Sequence, residues 1–206
     1  MIISPGRNYI FVHPPKTGGT AMALALEARA MKDDILIGDT PKALRRRNRL
    51  KALTPVGRLW KHSTLADIEG VVTRQQMVDM CVFTMTRNPW DRLVSYYHWL
   101  QGQSFDHPAV GLAKGLPFSK FLHHPSVLPA FSAQPIAAMT TDAAGVNHLN
   151  YLVALETWEQ DVEPLNDLFG FEIALEQVNT STRDRDYRRY HNDIDAALVA
   201  KACAAD

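Results

Sequence analysis

The chain has 206 residues, enough for one sizeable core, and its 46% hydrophobic and 21% charged content excludes a disordered or fibrous class. Its 22 basic and 22 acidic residues cancel, so no global field draws it to nucleic acid or to an anionic membrane surface. Two cysteines, Cys81 and Cys203, exclude a disulfide framework, and no apolar stretch approaches membrane-spanning length.

In chain order, the opening MIISPGRNYIFVH lacks a basic leader followed by a long apolar region. The expectation is therefore a cytoplasmic protein without a signal peptide. The first unit reads as a strand over 8–13, a loop over 14–18 and a helix over 19–31, the last rich in good helix formers at helical spacing. Its loop, Pro15-Lys16-Thr17-Gly18-Gly19-Thr20, combines a lysine with glycines that let the backbone turn and present its N–H groups. Such a bend suits an anion, with the amides of Thr17 to Thr20, the hydroxyls of Thr17 and Thr20, and the Lys16 ammonium as donors. The alternative is a plain glycine turn with a solvated lysine. A P-loop kinase would place its lysine after the second glycine, in GxxxxGK[ST], and the order here is the reverse.

Residues 32–61 are irregular, and Lys42 to Lys61 contain eight basic residues and no acid. Such a run reads first as a solvated face; functionally, its field would steer an acidic acceptor. Thr64 and Asp67 form a capping pair for a short helix ending at Gly70. Cys81 to Met85 is a continuous apolar run suited to a buried strand, with Cys81 a small core residue. Asn88-Pro89 then starts a helix that runs through WDRLVSYYHWLQ, with Asn88 as N-cap and Asp91 in the first turn. Arg87 at the strand end and Ser95 on the helix suit a phosphate, by bidentate charge and by hydroxyl. A surface ion pair and a surface serine are the plain alternative.

Residues 102–150 give little periodicity. A third strand over 152–155 precedes Thr157…Gln160, a capping-box spacing, and Pro164 should interrupt the helix that follows. An alanine-rich helix starts near Asp193. Strands alternating with helices predict an α/β fold, a single domain over 1–206 with a mainly parallel central sheet flanked by helices. In such sheets ligands sit outside the C-terminal strand ends. The 13–21 loop and Arg87-Asn88-Pro89 are both strand-to-helix turns, so they are expected to face one crevice.

The two stretches PKTGGT and RNPWDRLVSYY together resemble the sulfotransferases that use 3′-phosphoadenosine 5′-phosphosulfate (PAPS), and within them the carbohydrate-type branch, with its P-loop-like fold. The resemblance extends to NTSTRDRDYRRYHND, similar to the family's loop over the nucleotide, and is loose across 100–150. It implies that Lys16, Thr17, Gly18, Gly19 and Thr20 bind the 5′-phosphosulfate, with Lys16 at the bridging oxygen. It implies that Arg87 and Ser95 bind the 3′-phosphate, and that Ser181, Arg183 and Tyr187 belong to the nucleotide-covering loop. The reaction implied is in-line sulfuryl transfer from PAPS to an acceptor hydroxyl, on a carbohydrate for this branch, without a metal and with the adenosine bisphosphate PAP as product. His62, in Trp60-Lys61-His62-Ser63-Thr64, matches the position of a histidine near the acceptor and is the candidate base; His13 is its rival. His123-His124 read as loop histidines. Ala21 stands where many relatives have serine. The competing functions are a non-catalytic module for adenosine bisphosphate or an anionic glycan, and, further off, a P-loop nucleotide kinase.

Overall fold

The computed structural model describes residues 1–176, 178 and 182–205. In chain order it contains β1 (Ile2–Ser4), β2 (Tyr9–Val12), α1 (Gly19–Ala28), β3 (Ile35–Leu36), α2 (Pro41–Arg46), α3 (Arg74–Asp79) and β4 (Cys81–Thr86). Then follow α4 (Pro89–Gln101), α5 (Pro108–Gly115), α6 (Phe118–Leu122), α7 (Val127–Ser132) and α8 (Ile136–Met139). The chain continues with β5 (Leu149–Ala154), α9 (Trp158–Asp161), α10 (Glu163–Phe169) and α11 (Asp193–Ala202). These elements make two compact units, one of Met1–Thr86 with Ile136–Val178, the other of Arg87–Pro135 with Asn179–Asp206.

The first unit is an α/β layer around a five-stranded sheet of order β3-β1-β2-β4-β5. One half of it is parallel: β2 pairs with β4 in the register Val12↔Thr84, and β4 pairs with β5. Thr84 Oγ1 donates to Val12 O at 2.8 Å, pinning the two strand ends side by side. Both strands read as unbroken apolar runs because both faces of the sheet are covered. Tyr9, Phe11, Phe83 and Met85 enter one cluster with Met22, Leu26 and Phe169, whereas Ile10, Val12 and Val82 enter another with Leu65, Ile68 and Met77. The sheet is mixed: β1 runs antiparallel to both β2 and β3, an edge too short for strand periodicity to announce.

The predicted helix over Thr64–Gly70 is a turn. Its capping pair forms, with Thr64 N donating to Asp67 Oδ2 at 2.8 Å and Asp67 N to Thr64 Oγ1 at 3.2 Å. However, Asp67 O and Glu69 O accept from the amides of Gly57 and Val56, and Gly70 has φ +88°. Those carbonyls belong to the last four of such a helix and would have no partner within it; the difference lies inside the turn, where Ile68 N donates to Leu65 O and Glu69 N to Ala66 O, three residues back rather than four. Thr157, by contrast, forms no capping box; its hydroxyl donates to Asp161 Oδ2 and α9 is a single turn. Pro164 does interrupt the helix, as the second residue of α10 after the break at Val162.

The basic run is only partly solvated. Lys42 Nζ donates to Glu27 O, Arg46 to Met31 O and Asp34 O, and Arg49 to Lys32 O. These cations sit at the carbonyl end of α1 and the loop behind it, where positive charge is stabilising. Lys61 pairs with Asp39 at 2.6 Å. Arg45, Arg47, Lys51 and Arg58 remain exposed.

In the second unit, Leu93, Val94, Tyr97 and Leu100 of α4 pack with Phe121, Val127 and Phe131 and with Val199 of α11. The segment expected to lack periodicity holds four short helices, α5 to α7 in this unit and α8 in the first, each four to eight residues long. At that length a helix spans too few turns to leave a pattern. Among the described residues no helix is long and apolar enough to cross a membrane.

Candidate active site

In the first unit the loop between β2 and α1 turns twice through left-handed backbone, at Lys16 (φ 66°) and Gly18 (φ 90°). Gly18 suits this conformation; Lys16, with its Cβ, is held in it at a cost of about 1–3 kcal/mol, a form of strain that clusters at functional sites. Thr17 is fully buried and its Oγ1 donates to Pro14 O at 3.0 Å. That hydroxyl fastens the loop to itself, so the residue's N–H is what it has to offer an anion. The first amide-to-carbonyl bonds of α1 run from Ala21 and Met22 to Gly18 O. The amides of Gly19 and Thr20 therefore precede the hydrogen-bonded ladder, at the positive end of the helix.

Gly19 answers to packing rather than to φ. A Cβ there would lie 2.8 Å from His13 Cγ and closer still to its Cδ2 and Nε2. The His13 ring is 5% exposed and rests on the first turn of α1. Burial pushes its pKa well below the ordinary 6.5, with nearby cationic groups adding to the shift. Gly19→Ala should destabilise the protein by about 1–3 kcal/mol in chemical denaturation. In a His13→Ala background the same substitution should cost much less; equal costs in both backgrounds would place the conflict elsewhere.

His62 joins this loop from 49 residues away: its Nδ1 lies 2.6 Å from His13 O. A carbonyl only accepts, so Nδ1 carries the proton and the neutral ring keeps its lone pair on Nε2. Burial, opposed by that hydrogen bond, pushes the His62 pKa down to about 4. The two histidine rings are perpendicular, centroids 4.8 Å apart. Trp60, 37% exposed, meets the His62 ring edge-on at 5.0 Å, and Arg58 lies over the indole at 5.4 Å. His13, Thr20, Thr40, Asp39 and Lys61 line one small cleft.

In the second unit Asn88 caps α4, its Oδ1 accepting from Trp90 N and Asp91 N, while its Nδ2 donates to Tyr187 Oη at 3.1 Å. Arg87 donates through Nε (2.9 Å) and Nη2 (2.6 Å) to Asp91 Oδ2. Arg183 donates through Nη2 to Asp91 Oδ1 at 2.7 Å. Ser95, half-buried, follows Asp91 by four residues and so shares its helix face. Arg87, Ser95, Arg183 and Tyr187 thus belong to one unit, and Lys16 to Thr20 with His62 to the other. Ser181 lies outside the described residues.

Sequence reasoning missed Asp91, read only as a first-turn acid; its spacing of four from Arg87 was the available signal. It also missed the contact between His13 and Gly19, which no local pattern encodes. His123 is fixed by Asp195 at 2.8 Å. Among the described residues no group of three or more His, Cys, Asp or Glu is arranged to hold a metal ion.

No family model matches the chain, and no curated protein matches it. Among solved structures it is similar to mouse sulfotransferase SULT7A1 complexed with PAP, at 14% identity over 97% of this chain and 85% of that one, with a TM-score of 0.45. A likeness that distant carries no weight in assigning an activity to this chain.

Proposed function

We propose that the chain is a PAPS-dependent sulfotransferase, 1–206 acting as one domain, that moves a sulfuryl group to an acceptor hydroxyl on a carbohydrate. The observation that carries this reading is the hydrogen bond between His62 and His13 O. It ties a base with Nε2 open for a proton to the loop that offers an anion Lys16 and helix-start amides. Those are the two ends of one displacement. The acceptor loses its proton to Nε2 as its oxygen bonds to sulfur; the sulfur–oxygen bond to the nucleotide breaks, and Lys16 stabilises charge on the departing oxygen. Arg87 and Ser95, with Arg183 and Tyr187, are assigned to the nucleotide's 3′-phosphate end. The exposed Arg45, Arg47, Lys51 and Arg58 favour an acidic glycan acceptor, and the protein is expected to work in the cytoplasm.

A transfer screen with ³⁵S-labelled PAPS over glycans and small hydroxyl compounds tests the activity, and calorimetry with PAP, PAPS and ATP/Mg²⁺ tests the donor. Sulfate transfer to an acceptor is the expected result. Tight PAP binding with no turnover on any acceptor would favour a binding module; preference for ATP/Mg²⁺ would favour a kinase. Arg87→Ala should collapse the preference for PAP over AMP while leaving AMP affinity nearly unchanged, because only PAP carries the 3′-phosphate. Ser95→Ala should do the same more weakly, losing one hydroxyl contact of about 1 kcal/mol. Equal weakening of both nucleotides by Arg87→Ala would assign that residue to the fold or the 5′ end.

A further inference from the structure

We infer that Asp91 is a positioning residue that joins Arg87 and Arg183 into a single phosphate clamp, an inference that rests on the nucleotide assignment above. The two arginines come from positions 87 and 183 and take different oxygens of one carboxylate, at 2.6 and 2.7 Å. The three side chains are only 12 to 17% exposed. Two guanidinium groups brought together in so dry a place repel each other, and Asp91 offsets that repulsion while leaving one net positive charge. Arg183 Nη1 is buried and makes no hydrogen bond among the described residues. A buried charged donor without a partner is costly and calls for an acceptor. Asp91 is already taken up by Nη2 of Arg183, so an arriving oxyanion is an acceptor that fits Nη1. Ser95, one turn further along α4, adds a hydroxyl on the same face.

Charge alone predicts the opposite of positioning. If Asp91 were only a nearby negative charge, Asp91→Asn would remove repulsion and tighten PAP binding. If Asp91 aims the two arginines, Asp91→Asn releases them and weakens PAP, even though the site becomes more positive.

Calorimetric titration of wild type, Asp91→Asn and Asp91→Glu with PAP and AMP decides between them. The expected result for Asp91→Asn is a loss of about tenfold or more in PAP affinity, the equivalent of one charge-assisted hydrogen bond, with AMP unchanged. Asp91→Glu should recover part of the loss, since it restores the carboxylate. Arg183→Lys, which keeps the charge but loses the fork, should give a similar loss in case Asp91→Asn fails to fold. The double variant should be little worse than either single one, as for residues acting together. PAP affinity unchanged or tightened in Asp91→Asn, with wild-type PAP preference intact, overturns the clamp alone, as does full PAP preference in Arg183→Lys. A wild type that binds PAP no better than AMP overturns both the clamp and the sulfotransferase reading.

Discussion

Replacing Lys16 by alanine should lower turnover by about 10²–10³-fold, the scale set by removing one pre-placed charge stabiliser from a transition state. PAP affinity should fall far less. The distinction follows from when the charge appears: the bridging oxygen gains most of its negative charge as the bond to sulfur breaks, so an ammonium there acts mainly on the transition state. The backbone makes the comparison a clean one. Lys16 is left-handed at φ 66°, and alanine carries the same Cβ into the same strained conformation, so the variant removes the ammonium without changing the turn. Single-turnover rates with PAPS, set beside PAP titrations, provide the measurement. Equal losses in rate and affinity would make Lys16 a plain anchor of the nucleotide.

His62→Ala should abolish most transfer while PAP affinity stays near wild type. His62→Asn is the stricter test, since its side-chain amide can still donate to His13 O while offering no basic nitrogen; it should be as inactive as alanine. A variant that keeps nearly full kcat would remove His62 from the reaction and move attention to His13. The pH dependence carries a second signature. A base works unprotonated, and burial holds His62 down to about 4, below the ordinary 6.5. The acidic limb of kcat/KM should therefore appear only as pH falls toward 4, not near 6.5. Stability follows the same sign. The unfolded chain takes up a proton near 6.5 while the folded one resists until about 4, so folding should weaken as pH drops through that window. His13, also lowered by burial, pushes in the same direction.

The amino-acid sequence by itself determined the parts of this protein that local chemistry can dictate. Tyr9–Val12 is apolar without alternation, as is Cys81 to Met85 but for Thr84, and such runs make strands covered on both faces. Asn88-Pro89 starts α4 because an N-cap oxygen and a proline at the first position suit a helix start. The turn before α1 was legible because Gly18 takes the left-handed backbone that glycine favours. Beyond one window of sequence the signals stop. The antiparallel edge of β1 and β3, three and two residues long, shows no period, and Thr64–Asp67 satisfied its capping box without a helix, the turn closing from Ile68 N to Leu65 O and from Glu69 N to Ala66 O, three residues back rather than four. Only tertiary structure decided that Gly19 makes room for the His13 ring and that His62 Nδ1 meets His13 O across 49 residues. Only it brought Arg183 to the carboxylate that Arg87 already holds. The physical reason is range: propensity and capping act over three or four neighbours, whereas a site is made of side chains whose proximity depends on which strands pair and which helices pack.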